Sequence, residues 1–232
     1  MNSGEDKMDI KKIMAYSRAL SENNDRQWFH QHHGEYEAAQ NDFLSLLDIM
    51  KFPIMQYAPS LGDQIMFTPP KLFMYRIPRD MRYSRGKTPY NPAFRAYFSP
   101  NKKEFLPLGY FFRISGDQCS IGTGVYPWDR ELLGRLRDYI MYNYEELDDI
   151  VAENDLEVEG EALKRAPKGY DENHPAISWL RYKYITVRYE FTPEEIVDEG
   201  ALLDAAGQAI RRFEPLREYL SGAYEGIPFD IY

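Results

Sequence analysis

The sequence predicts an α+β fold, a mainly antiparallel sheet flanked by helices in a single domain, and three observations lead there. Strand-length apolar runs cluster between residues 94 and 126, and two of them are joined by the tight-turn pair Gly116-Asp117. Stretches with helical spacing lie on both sides of that cluster, with few βαβ alternations. Hydrophobic patterning persists without repeats, low-complexity linkers or a composition break. Residues 10–232 are therefore expected to form one domain behind a disordered start at 1–9.

Taken in order, Ile10 to Leu20 reads as a short helix, and Asn23-Asn24-Asp25 caps a longer one. Its apolar stripe runs Trp28/Phe29, His32, Tyr36, Ala39, Phe43, Leu46/Leu47 and Met50, in steps of three and four. The proline-bearing stretch from Lys51 to Pro70 reads as loop with one short element. Alternation predicts a strand over Lys71–Ile77, and prolines bound a loop over Pro78–Pro92. Strands are expected at Phe94–Ser99, Leu108–Ser115 and Cys119–Tyr126, the last two as an antiparallel hairpin. Asp129 caps a helix carrying Leu132, Leu133, Leu136 and Ile140, with a second helix over Tyr144–Asn154. A helical piece at Pro175–Arg181 precedes a strand at Tyr182–Phe191. Thr192-Pro193-Glu194-Glu195 opens a short helix with Pro at its first position. A final helix starts at Asp198, and Pro215 bends or restarts it.

Cys119 is the only cysteine, which excludes an intrachain disulfide and a cysteine-built zinc cage. The polar stretch Met1–Lys12 does not resemble a secretory signal, and no apolar run reaches the ~20 residues that cross a bilayer. A cytoplasmic protein with no membrane partner is expected. Net charge is −9, against the needs of a general nucleic-acid coat. The charge is segregated, however. Residues 71–113 carry ten basic side chains against two acids, a balance of +8, which leaves −17 for the rest. Such asymmetry bears on ligands more than on fold.

The first constellation spans Arg76 to Tyr90, where Arg76, Arg79, Arg82 and Arg85 recur every third residue, followed by Lys87. Guanidiniums bind carboxylate or phosphate through paired N–H donors, and Ser84 and Thr88 add hydroxyls. Tyr90 ends the run as a candidate ligand contact. Asp80 is read as an internal partner that orients one arginine, and as a candidate proton carrier. The alternative is that these arginines anchor the loop to acids elsewhere.

The second constellation is the loop Lys164 to His174. Arg165 and Lys168 are candidate cations for the opposite wall of an anion pocket, with His174 as general acid or base. Here the alternative is a solvated loop in which His174 caps the next helix. His32 lies on the apolar stripe and reads as core, while His30 and His33 lack a carboxylate at metal-site spacing. No metal is expected. Gly122-Thr123-Gly124 lacks the remainder of any phosphate-loop or dinucleotide fingerprint, so no cofactor is expected. Glycines on one strand face more often mark close packing against another backbone.

The blocks Arg79-Asp80-Met81-Arg82-Tyr83-Ser84 and Lys87-Thr88-Pro89-Tyr90 resemble the signature of the family known as domain of unknown function 2461. Asn23 to Phe29, Gly122 to Pro127, and Leu163 to Tyr170 with His174-Pro175 agree with it in order, so the resemblance covers roughly residues 10–220. The chain departs from the family pattern at Tyr83, where Phe is usual, at Gly86, where an acid is usual, and at His32-His33, where Asn-Lys is common. The resemblance implies a fold and a map of motifs, and no activity.

The expected function is binding of a small anionic ligand, phosphorylated or not, in a cleft lined by the two basic loops. A nucleotide or nucleic-acid binder is the first alternative, using segment 71–113 with Tyr75, Tyr83, Tyr90 and Tyr97 as stacking surfaces. A protein-interaction module with structural arginines is the second.

Overall fold

The computed structural model describes residues 9–82, 88–100, 108–127 and 129–226. The expected disordered start therefore falls outside them, apart from Asp9, whose carboxylate caps α1 (Ile10–Glu22). Asp25 caps α2 (Arg26–Gln31), and α3 follows at once (His33–Ile49). The single long helix expected here is thus broken at His32, whose Nδ1 lies 2.9 Å from the Trp28 carbonyl and whose ring stacks on Trp28 at 4.1 Å. A side chain competing for a helical carbonyl favours an end over continuation.

The Lys51–Pro70 stretch corrects the loop expectation. It forms α4 (Lys51–Tyr57) and α5 (Pro59–Ile65). Pro59 sits in the first turn of its helix, where the missing N–H costs nothing. Lys51 ties the pair down by donating to the carbonyls of Met66 and Thr68, both at 3.2 Å. The strand expected at Lys71–Ile77 is also corrected. Pro70 opens a single turn, α6 (Pro70–Phe73), and only isolated bridges follow, Met74 with Ala96 and Pro78 with Tyr90.

The sheet comprises β1 (Phe94–Phe98), β2 (Tyr110–Ile114), β3 (Cys119–Val125) and β4 (Ile185–Glu190), antiparallel throughout, in the order β1-β2-β3-β4. The hairpin read from Gly116-Asp117 is present. Between β3 and β4 run α7 (Arg130–Glu153), kinked at Asn143, and α8 (Ile177–Leu180). The kink falls beside the break expected between two helices. The chain continues into α9 (Pro193–Val197), with a full capping box between Thr192 and Glu195, and α10 (Glu199–Gly222), which runs on through Pro215.

Register assigns each strand residue to a face. Phe94, Ala96, Phe98, Tyr110, Phe112, Ile114, Cys119, Ile121, Val125, Ile185 and Val187 are buried on the side where α1 meets β2 and α10 meets β3. A polar rivet crosses this core. The Glu214 carboxylate accepts from the Tyr110 hydroxyl at 2.6 Å and from Arg217 Nε at 2.7 Å. Arg217 also donates to the Leu108 carbonyl at 3.0 Å and to Ser60 Oγ at 3.3 Å. The last helix is thereby joined to the sheet and to α5.

Candidate functional site

The arginine loop hangs from the β1 edge. Tyr75 N–H donates to the Arg95 carbonyl at 2.8 Å, Asn91 N–H to Ile77 and Arg79 N–H to Pro89, both at 2.9 Å. Arg79 closes the arch with its side chain, donating to the carbonyl and hydroxyl of Thr88 at 3.1 Å each. Ser84 and Lys87 lie outside the described residues, as do Tyr83 and Arg85. Arg82 grips Asp80 with Nε at 3.0 Å, Nη2 at 2.7 Å and its backbone N–H at 3.0 Å, and both residues are exposed. That side-chain hydrogen bond, then the backbone one, holds the Asp80 carboxyl below the usual carboxylate range, and Arg76 adds to the effect. Asp80 is thus the internal partner read from the sequence, and a poor proton carrier near neutrality. Arg76 is exposed beside it.

Tyr90 is not placed to meet a ligand. Its ring is 7% exposed and stacks on Phe29 at 4.2 Å. The Asn24 side chain holds its backbone from both sides, accepting from Tyr90 N–H at 3.0 Å and donating to its carbonyl at 3.1 Å. Two of the sequence blocks that carry the family resemblance therefore meet in space, and this contact is structural.

The second basic loop hangs from the opposite edge. Glu159 bridges Thr186 and Ala162 bridges Tyr182, so this segment lies outside β4. Arg165 and Lys168 are exposed beyond it. Tyr170 donates to Asp138 at 2.8 Å and Trp179 to Asp148 at 2.7 Å, which fastens the loop to α7. His174 Nδ1 accepts from Ala176 N–H at 3.1 Å, and its ring meets the edge of Tyr144 at 5.9 Å. The bond closes a local turn just ahead of α8, whose N-cap is Ala176 and which receives no side-chain cap. From the segment outside β1 to the segment outside β4 there are five strand spacings, roughly 24 Å at about 4.8 Å each. The segments that anchor the two loops therefore stand apart by the width of the sheet.

What the fold brings together lies between them, on the second face of the sheet. Arg95 stands directly opposite Arg113, which stands opposite Ser120 and then Glu190. In the next row Tyr97 stands opposite Phe111, Gly122 and Arg188. Tyr97 and Phe111 stack at 4.3 Å. The Tyr97 hydroxyl accepts from Gly109 N–H at 2.7 Å, and burial raises its pKa to about 12.

Arg95 lies over the Tyr75 ring at 5.4 Å. Burial pushes its guanidinium down, and the charges of Arg79 and Arg113 push it further, against the pull of Tyr75. Its Nε is buried and has no hydrogen-bond partner among the described residues. Arg113 donates to Gln118 at 3.2 Å, whereas Arg188 pairs with Glu159 at 2.9 Å. A depression of about 220 Å³ is floored by Ser120 and Gly122 and walled by Phe111, Arg113, Arg188 and Glu159. Gly122 also bears out the close-packing reading, since a Cβ there would meet the Val187 carbonyl oxygen at 2.5 Å.

A family model described as conserved hypothetical protein (DUF2461) matches residues 12–219. The chain belongs to that family. No curated protein and no solved structure matches it. Among the described DUF2461 signature residues, Arg79 lies near enough for its charge to act on Arg95. Arg95 and Arg113 were counted in the basic segment without being singled out, and Phe111 and Arg188 were missed. The available signal was the alternation Tyr110-Phe111-Phe112-Arg113-Ile114, which sends Phe111 and Arg113 to one side. Among the described residues no group of three His, Cys, Asp or Glu side chains is placed to hold a metal, and no helix is long and apolar enough to cross a membrane.

Proposed function

We propose that this chain binds a small anionic ligand on the face of its sheet that carries Arg95 and Arg113, with Arg79 as the third cation. The ligand class is the one expected from the sequence, but the site lies between the two basic loops and uses only the first. The observation that carries this reading is Arg95: a half-buried guanidinium opposite a second one, near a third, with a buried donor unpaired among the described residues. Like charges directly opposite on adjacent strands destabilise a sheet, and an unpaired buried donor adds to the cost. An anion seated there relieves both, because a carboxylate or phosphate accepts from two guanidiniums at once. A cytoplasmic setting, with Cys119 buried and its thiol pushed up by burial, is part of the proposal.

Thermal-shift titration with phosphate, sulfate and citrate tests it. A ligand that binds only the folded state raises the melting temperature with concentration. The rise is expected in the wild type and lost in Arg113→Gln. No response of the wild type to any anion sinks the reading.

A further inference from the structure

We infer that the ligand is a mononucleotide, its base held in the slot between Phe111 and Arg188 and its phosphate on Arg113 and Arg95. This rests on the anion-binding reading and adds the part of the ligand that is not charged. Phe111, Gly122 and Arg188 form one row across β2, β3 and β4, with Gly122 in the floor of the depression that the other two line. The strands that carry Phe111 and Arg188 are two spacings apart, about 9.6 Å between backbones. A flat ring stacked on both sides needs about 7–8 Å, two van der Waals separations. The row is wide enough for a planar group.

The walls suit a heteroaromatic ring. Tyr97 covers the β1 side of the Phe111 ring, and the residue nevertheless stays 43% exposed on the sheet face. Its remaining face is an aromatic platform, and Arg188 opposite is a planar cation that stacks on π-systems. Glu159 at the rim accepts one hydrogen bond from Arg188 and keeps lone pairs for the N–H edge of a base. Arg113 lies two residues along β2 from Phe111, about 7 Å away, which leaves room for a sugar over Ser120. A chain of net charge −9 with a slot for one ring suits a mononucleotide better than a polyanion strand.

Calorimetric titrations with AMP, CMP, adenosine, inorganic phosphate and a ten-nucleotide oligoadenylate, on wild type, Phe111→Ala and Phe111→Trp, decide it. At least one mononucleotide is expected to bind ten times more tightly than phosphate. Phe111→Ala should bring its affinity to within threefold of phosphate, and Phe111→Trp should restore it. Phosphate bound as tightly as every nucleotide overturns this inference and leaves the anion reading standing. So does nucleotide binding that is indifferent to Phe111→Ala. An oligonucleotide bound more tightly per site than AMP overturns it in favour of a strand. No binding of any anion removes the reading beneath it.

Discussion

Arg95 and Arg113 face each other across adjacent strands, and each rests on an uncharged neighbour, Arg95 over Tyr75 and Arg113 on Gln118. Their repulsion is built into the empty protein. Removing one charge should stabilise it, by the ~0.2–1 kcal/mol that cross-strand pairs carry. Arg113→Gln is expected to raise the melting temperature by about 1–3 °C without ligand. A fall of several degrees shows that the arginine holds the fold together.

Arg82 and Lys168, 86 positions apart, are expected to behave independently. Arg82 is spent on Asp80 in an exposed pair, and Lys168 lies beyond the other edge of the sheet. Lys168→Ala should leave anion-induced stabilisation at its wild-type value. Loss of that response in Lys168→Ala shows that the two basic loops do share a ligand.

The buried rivet is the costliest contact to break from one side. Burial works against the Arg217 charge, but Glu214 outweighs it and holds the guanidinium above its ordinary pKa. Arg217→Met strands the carboxylate between Tyr110 and apolar packing, at a cost of about 3–5 kcal/mol. Urea unfolding should show it as a lower midpoint. The double variant Glu214→Gln/Arg217→Met should lose less than the two single losses added together, and strict additivity contradicts the coupling.

Alkali should unfold the protein in a definite window. Tyr97 is held up to about 12 by burial, and Tyr170 and Tyr189 reach about 12 by burial and by hydrogen bonds to Asp138 and Glu195. An unfolded tyrosine ionises near 10. Between those values the unfolded chain binds fewer protons than the folded one, so stability falls as pH rises. It should be intact below pH 10 and lost toward pH 12. Absorbance from the tyrosinates of Tyr97, Tyr170 and Tyr189 should appear together with the loss of circular dichroism. A single unperturbed titration near pH 10 in the folded protein refutes this.

Local chemistry was legible in the sequence, and cross-strand company was not. Gly116-Asp117 announces the hairpin because few residues turn so tightly, and Thr192-Pro193-Glu194-Glu195 announces α9 because its cap is entirely local. Pro59 and Pro70 misled, because the same residue that breaks a strand also opens a helix. The arginine loop stood out by density of charge, yet Arg82 is paired with Asp80 and Arg79 also bonds to Thr88 within the loop. Arg95 and Arg113 are 18 positions apart, and only register makes them opposite. The spacing that hid the site is the span of the β1–β2 connection, whose inner residues say nothing about which arginine ends where.

The rivet has a bearing on how this chain is made. Tyr110 and Leu108 emerge from the ribosome about a hundred residues before Glu214 and Arg217, the groups that satisfy them in the buried core. At the pace of synthesis that is roughly 5–20 s. Throughout that interval β2 and β3 exist without the helix that covers β3, and their apolar face is open to other nascent strands. A chain stopped before α10 has the complete sheet without the helix that packs on β3, which leaves an apolar face open to other chains.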